Sequence, residues 1–407
     1  MAGPLTGVRV LDLSRVLAAP WAGQNLADLG AEVIKIERPK VGDDSRAFGP
    51  PWVHDREGRE TRDSAYFTSA NRGKKSVTAN LASAEGQALV RELAKQSDVL
   101  LENYKYGDLA RYGLGYDDLK KINPRLIYCS VTGFGHTGPY RERPGYDFMI
   151  QGMGGMMSVT GEPDGAPGGG PQRAGVPIAD IITGMYASIA ICAALAHRAQ
   201  SGQGQHLDLA LLDSQIALLA YQNTNYFATG KPPKRIGNLH PNIVPYQPFK
   251  TSDGEVIVAC GNDNLFRKLC EAAGCPQLAR DARFSTNGKR VENRAELTRL
   301  IQELFRKKTT AQWLDLLEGA GVPNGPINDI AQVFAEPQVK ARGVKIELEH
   351  AAAGTIPLVA SPMRFSGTPL EYRQAPPLLG EHTDAVLREL LGKSDAEIAA
   401  LRAAGTI

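Results

Sequence analysis

Residues 173–198, RAGVPIADIITGMYASIAICAALAHR, set one carboxylate at the mouth of a long apolar helix. From Ile181 to Ala196 almost every residue is apolar, and the polar exceptions, Thr183 and Ser188, are small. A helix apolar on all sides belongs inside a large core. Pro177 before it, and Arg198 and Gly202 after it, are start and stop signals in the right order. Asp180 is the charged group at its entry, and two readings of it stand. It is a helix N-cap, the usual post of an Asp there, or a carboxylate nucleophile at the wall of a dry pocket. On either reading the positive end of the helix keeps it ionised at low cost. The helix alone does not choose between them.

The chain before it predicts a parallel sheet. Val8–Leu13 reads as a strand, the segment from Ser14 or Arg15 to Leu29 as a helix stopped by Gly30, and Ala31–Glu37 as the next strand. The alternation continues through KSVTANL from Lys75, a helix capped by Ser83, the buried strand DVLLENY (98–104) and RLIYCSVTGFG (125–135). Residues 1–135 therefore read as a doubly wound α/β sheet with helices on both faces. Residues 162–171, EPDGAPGGGP, read as a mobile surface loop or lid, and 205–221 alternates before turning helical. Boundaries fall in the Pro/Gly-rich stretches 228–243 and 321–329. They enclose a hairpin around Asp253-Gly254 and a run of helices. Two capped helices, 381–392 and 394–405, are expected to pack back on the first domain. The division expected is a large α/β domain from 1–200 and 330–407, a linker helix over 201–227 and a small domain over 228–329.

A chain of 407 residues with 22% charged residues buries a substantial core, and a net charge of +2 gives no bulk attraction to nucleic acid or a membrane surface. Five Cys without a CxxC pair argue for a reducing, cytoplasmic setting rather than a disulfide framework. Cys270 and Cys275 read as packing thiols, and no metal site is expected. The N-terminal segment lacks the pattern of a signal peptide, and 181–196 is too short for a membrane span. The first β–α turn, Asp12–Trp21, has no GxGxxG, and no GxxxxGK[ST], GxSxG or HExxH occurs. These absences count against dinucleotide, P-loop, serine-hydrolase and zincin chemistry.

Basic residues instead cluster about the expected carboxyl edge of the sheet: Arg15 after the first strand, Arg38 after the second, Arg72 with Lys74 and Lys75 before the third, and Arg111 beyond Asn103 after the fourth. Ligands of open α/β sheets bind at that edge, and several guanidinium groups there suit a polyphosphate. Each is singly more at home as a solvated surface charge. His136 and His240 are loop histidines, either general bases or structural. Tyr146 and Asp147 bring a phenol and a second carboxylate near the pocket, unless Tyr146 is core.

Taken together, GVRVLDLSRVLAAPWAGQNLADLGAEVIKIERP, GDDSR (42–46), NRGKKSV (71–77), LLENY, GYD (145–147), GVPIADIITG (175–184) and PPLLGEHTD (376–384) resemble the class III CoA-transferases, the CaiB/BaiF family that includes the formyl-CoA and carnitine-CoA transferases. The likeness runs in order over essentially the whole chain. It implies a large Rossmann-like domain built from both termini, an inserted α+β domain and an interlocked homodimer. It implies that Asp180 attacks an acyl-CoA thioester to give a mixed anhydride and then an aspartyl-CoA thioester, from which CoA passes to an acceptor acid. Acyl-CoA is then substrate, and no cofactor is permanently bound. The family's CoA-binding positions fall on Arg15, Leu17, Ala18, Arg38, Arg72, Asn103, Tyr104 and Arg111; Lys75, Tyr146 and Asp147 join them as candidates from their place in the chain.

Related α-methylacyl-CoA racemases carry His where this chain has Tyr146, and a phenol is a poor base for an α-proton at neutral pH. Racemase is therefore the second reading, and a non-catalytic CoA-binding protein the third. The region KRIGNLHPNIVPYQPFK (234–250) and GVPNGPINDIAQVFAEPQV (321–339) look most like the succinyl-CoA:glutarate branch. A dicarboxylate's distal group calls for a cation or N–H groups, and Arg173, Arg235 and His240 are the candidates.

Overall fold

In the computed structural model, which describes residues 3–407, the chain falls into two compact units. The larger runs through Met156, resumes over Ala174–Thr229 and ends with Lys340–Ile407, and the smaller comprises Met157–Arg173 and Gly230–Val339. Against the expected boundaries, 157–173 thus groups with the smaller unit, and so do 330–339. Local bonds account for the first difference. Glu162 bridges to Gly169, Gly237 donates its N–H to the Gly161 carbonyl at 3.1 Å, and Arg235 pairs with Asp164.

The larger unit is built on six strands: β1 Arg9–Asp12, β2 Glu32–Glu37, β3 Lys74–Thr78, β4 Val99–Glu102, β5 Ile127–Thr132 and β6 His206–Ala210. Every pairing is parallel, and the spatial order is β3-β2-β1-β4-β5-β6. The order reverses between β1 and β4, which opens a crevice at the carboxyl ends of those two strands. Residues 201–227, expected as a linker helix, instead hold β6, α7 and most of α8, defined below.

Successive side chains alternate between faces, and both faces are covered, as parallel sheets require. Val10, Val33, Val99, Ile127 and Cys129 share one core cluster with α1 (Ala18–Asp28) and the long central helix. Leu11, Ile34, Leu100 and Tyr128 share the other, with residues of α3 (Ala84–Lys95) and Val386. Between α1 and α3 lies the short α2 (Ala65–Thr68). Beyond α3 come α4 (Tyr116–Ile122), α5 (Asp147–Met153), the central α6 (Ile178–Ser201), α7 (Leu211–Leu218) and α8 (Tyr221–Thr229). The helix at Thr383–Leu391 docks on β3, with the Thr78 N–H donating to Thr383 Oγ1 at 3.0 Å.

The central helix departs from expectation in two ways. At 24 residues it is longer than the apolar run, and by length and composition it is long enough to cross a membrane. It is also not buried all round. Ala179, Thr183, Ala187, Ile191 and Ala194 form the stripe that packs inward, while Met185, Tyr186 and Ile189 stand exposed, Ile189 by 62%. α6 and α1 approach closely at Gly184, where a Cβ would sit 2.4 Å from the Ala18 carbonyl oxygen.

The smaller unit pairs Tyr246–Lys250 with Glu255–Ala259 in the antiparallel hairpin anticipated around Asp253-Gly254. Its core includes the stacked rings of Phe249, Phe305 and Trp313, along with Cys270 and Cys275. All five cysteines are free thiols.

Candidate functional site

The site begins where β1 and β4 diverge. Asn103, just past β4, accepts the Arg15 N–H on Oδ1 at 2.8 Å and donates from Nδ2 to the Arg15 carbonyl at 2.7 Å. The next residue, Val16, has φ +69°, costly for a β-branched side chain. Its N–H is held by both Asp43 oxygens, at 3.1 and 3.3 Å. Asp43 is buried against the Lys35 ammonium at 2.8 Å, and this pairing holds its carboxyl well below the usual range despite burial. A parallel pair, Asp12–Lys74 at 2.9 Å, lies beneath with both side chains fully buried. Breaking either pair strands a buried charge, so the turn is fixed before any ligand arrives.

That turn forms one wall of a cavity of about 230 Å³. Leu17 and Ala18 continue the wall, Asn103, Tyr104 and Lys105 line it from β4, and Arg141, Arg143 and Tyr146 come from the loop after β5. Asp180 lines it from α6. A second cavity of about 170 Å³ shares Arg15 and Tyr104 and is lined by Arg38 and Asn80. The Arg15 guanidinium lies 4.8 Å from the Tyr104 ring centroid.

Asp180 is not the N-cap. Pro177 holds that position and offers no side-chain cap. Capping comes from Asp147, whose Oδ1 accepts the N–H groups of Ala179 at 2.8 Å and Asp180 at 3.3 Å. Gln151, itself buried, donates to Asp147 Oδ2 at 2.7 Å and accepts the Ala174 N–H at 2.9 Å, which ties down the chain entering α6. The helix-end donors are therefore occupied by another carboxylate. Among the described residues none donates to the Asp180 carboxylate. Burial, and then the Asp147 charge, push the Asp180 carboxyl up to about 7. This reverses the expectation that Asp180 stays charged at low cost. Tyr66, on α2, is within electrostatic reach of both groups; burial and the charges of Asp180, Asp147 and Asp43 push its phenol up to about 12, so it remains a hydrogen-bond donor at neutral pH.

The structure brings together Asp180, Asp147, Arg15, Leu17, Ala18, Asn103, Tyr104 and Tyr146, with Arg38 in the adjoining cavity. It does not bring three others. Arg72 is buried in an ion pair with Asp28 at 2.5 Å and donates to the Val359 carbonyl at 2.7 Å. Lys75 lies within β3 near its amino end, not beyond a strand's carboxyl end, and pairs with Glu32 at 2.8 Å. Arg111 is a surface residue paired with Asp108 at 2.5 Å. His136 faces His206 with ring centroids 4.9 Å apart in a neighbouring cavity that Asp180 does not line, and burial lowers both imidazoles' proton affinity. Arg173, Arg235 and His240 belong to the smaller unit, where Arg235 pairs with Asp164 and His240 Nδ1 accepts the Asn242 N–H at 3.1 Å. Arg141, Arg143, Lys105, Asp44 and Tyr66 were not anticipated. The RER run one residue before Gly145-Tyr146-Asp147 is the signal that could have found the two arginines.

A family model described as CoA-transferase family III matches residues 5–383. The chain is 52% identical over 387 residues to a succinate–glutarate CoA-transferase of Agrobacterium fabrum, covering 95% of this chain and 96% of that one. It is 45% identical to a human succinyl-CoA:glutarate CoA-transferase, covering 99% and 90%. A crystal structure of a CaiB/BaiF family protein from Brucella suis superposes with a TM-score of 0.83 at 52% identity, covering 96% of this chain and all of that one.

Proposed function

The chain belongs to CoA-transferase family III, and on that premise we propose that it moves CoA from succinyl-CoA to a glutarate-like dicarboxylic acid with Asp180 as nucleophile. The Asp180 carboxylate attacks the thioester carbonyl, the C–S bond breaks, and a mixed anhydride forms as CoA leaves as its thiolate. The thiolate attacks the aspartyl carbonyl of the anhydride, releasing succinate and leaving an aspartyl-CoA thioester. The acceptor carboxylate attacks that thioester and again displaces the thiolate. The thiolate then takes the acceptor's acyl carbon and frees Asp180. No proton source or metal is needed at any step.

The observation that carries this reading is the Asp180 carboxylate itself. It is half-buried, receives no hydrogen bond from the described residues, and lines the same cavity as Arg15, Asn103 and Tyr104. A carboxylate without donors and partly withdrawn from solvent is the more reactive toward a carbonyl carbon. The Arg15 and Arg38 guanidinium groups supply the anion contacts for the CoA phosphates. For the acceptor's distal carboxylate, Arg173, Arg235 and His240 remain the candidates, with Arg235 available only at the expense of its pair with Asp164. The dicarboxylate assignment is drawn from the two relatives named for glutarate. The exposed apolar face of α6, with Met185, Tyr186 and Ile189, supports a homodimer.

The test is succinyl-CoA mixed with a panel of dicarboxylates and followed by mass spectrometry, with a parallel sample quenched in hydroxylamine. A hydroxamate on Asp180, and no exchange by Asp180→Ala, are expected. Full exchange by Asp180→Ala would overturn the mechanism. Deuterium uptake at the α-carbon without any acceptor would favour the racemase reading instead.

A further inference from the structure

Asp44 occupies an unusual post. Arg15 Nη1 donates to its Oδ2 at 3.3 Å, and Arg38 Nη2 donates to its Oδ1. One carboxylate thus bridges the two guanidinium groups that the proposed function assigns to the CoA phosphates. Its neighbour Asp43 is locked by Lys35, Val16 and Ser45, so the backbone at Asp44 is pinned while its own side chain, 40% exposed, is free to turn outward. Arg15 gains little from the arrangement. Its contact with Asp44 is long, and among the described residues its buried Nε has no partner. A guanidinium left under-satisfied in a partly buried wall calls for an anion with more acceptor oxygens than one carboxylate presents. Arg15 also divides the two cavities, lining both.

We infer that Asp44 is an internal stand-in for a phosphate: its carboxylate bridges Arg15 and Arg38 in the empty enzyme, and the phosphate of an arriving CoA thioester displaces it. This rests on the reading of Arg15 and Arg38 as phosphate contacts. The device keeps both guanidinium groups together on one carboxylate without substrate. It also weakens CoA binding, because each binding event breaks the Asp44 contacts and leaves a carboxylate beside the incoming anion. Weaker binding serves an enzyme that must release one acyl-CoA for every one it takes up.

The experiment is calorimetric titration of the wild-type protein, Asp44→Asn, Arg15→Ala and Arg38→Ala with coenzyme A, at low and at high salt. Asp44→Asn is expected to bind CoA about 3- to 10-fold more tightly at low salt, with the advantage shrinking at high salt as charge repulsion is screened. Unchanged or weaker binding by Asp44→Asn, with a wild-type melting temperature, overturns the inference, because Asp44 would then be neutral or would be orienting the arginines for substrate. Arg15→Ala and Arg38→Ala are expected to weaken binding. If both leave it unchanged, the phosphate reading itself fails, whatever Asp44→Asn does. If they weaken it while Asp44→Asn does not tighten it, the stand-in role alone fails.

Discussion

Asn103 and Arg15 hold each other by two hydrogen bonds, 2.8 and 2.7 Å, between one carboxamide and both polar groups of one backbone residue. The bonds span the point where the strand order reverses, so they join the loop after β1 to the loop after β4 at the crevice. An Asn is suited to this because its amide offers a donor and an acceptor side by side. Asn103→Ala removes both and leaves a backbone N–H and a carbonyl to be satisfied otherwise, at a cost of about 1–3 kcal/mol. The expected result is a lower melting temperature and a KM for acyl-CoA raised by roughly tenfold, with kcat changed less. Asn103→Asp keeps the acceptor only and should fall between the two. Unchanged KM in Asn103→Ala would show that the crevice does not depend on this bridge.

Asp180→Asn separates chemistry from stability. An amide is not a nucleophile toward a thioester, so transfer should fall below detection. Stability should move the other way. A carboxyl raised from 3.8 to about 7 means that the native state binds protons more tightly than the unfolded chain, so its stability falls as pH rises between those values. The amide carries no such penalty. Asp180→Asn should therefore melt higher than wild type at pH 8, with the gain fading as pH approaches 4. A variant that melts lower at pH 8 would mean that the carboxylate is a structural cap after all.

The same shift sets the pH profile. In the free enzyme kcat/KM for acyl-CoA should rise with pH and level off above about 7, as Asp180 ionises. Asp147 contributes to that raised value, so Asp147→Asn should move the acid limb downward. It also turns the atom that accepts from Gln151 into a second donor facing the Gln151 amide, and a destabilisation of about 1 kcal/mol is expected. A limb that stays in place would assign the whole shift to burial.

Much of the fold was legible because short apolar runs between turn residues have few other readings, and the strands from Val8 to Thr132 and the Asp253-Gly254 hairpin lie where their patterns put them. That Asp180 faces a cavity was legible because it stands alone at the start of an apolar helix within a familiar motif. Partners distant in sequence were not legible. Arg72 looked like a phosphate ligand because nothing near it in the chain announces Asp28, 44 residues earlier. The capping of α6 by Asp147, 32 residues upstream, was hidden the same way, and with it the proton affinity of Asp180. The exposed face of α6 could not be read either, since an apolar residue looks alike whether its own chain or another covers it.

Gly184 sits one turn beyond Asp180, at the crossing of α6 and α1. Adding a Cβ puts it 2.4 Å from the Ala18 carbonyl oxygen and 3.0 Å from the Trp21 Cβ. Neither neighbour is a flexible side-chain end, so the helices must part. Overpacking of this kind costs about 1–3 kcal/mol, against a small gain in helix propensity. Because Ala18 and Asp180 line the same cavity, the displacement is carried into the site. Gly184→Ala should lower both the melting temperature and kcat. Gly175→Ala, where a Cβ meets nothing within 4 Å, is the control for glycine replacement near the same helix.

Ile189 tests what covers the outer face of α6. It is 62% exposed, beside Met185 and Tyr186 on a helix apolar enough to pass for a membrane span. An apolar surface of that kind is normally covered in a working enzyme, and a C2 dimer would place the same residue at the contact twice. Ile189→Asp introduces two charges into such an interface, one from each copy, while leaving the inward stripe of Ala179, Thr183, Ala187 and Ile191 untouched. By sedimentation or light scattering the wild-type protein should be a dimer and Ile189→Asp largely a monomer, with little change in helical content by circular dichroism. A wild-type monomer at micromolar concentration, or an Ile189→Asp dimer of unchanged affinity, would place any contact between copies elsewhere.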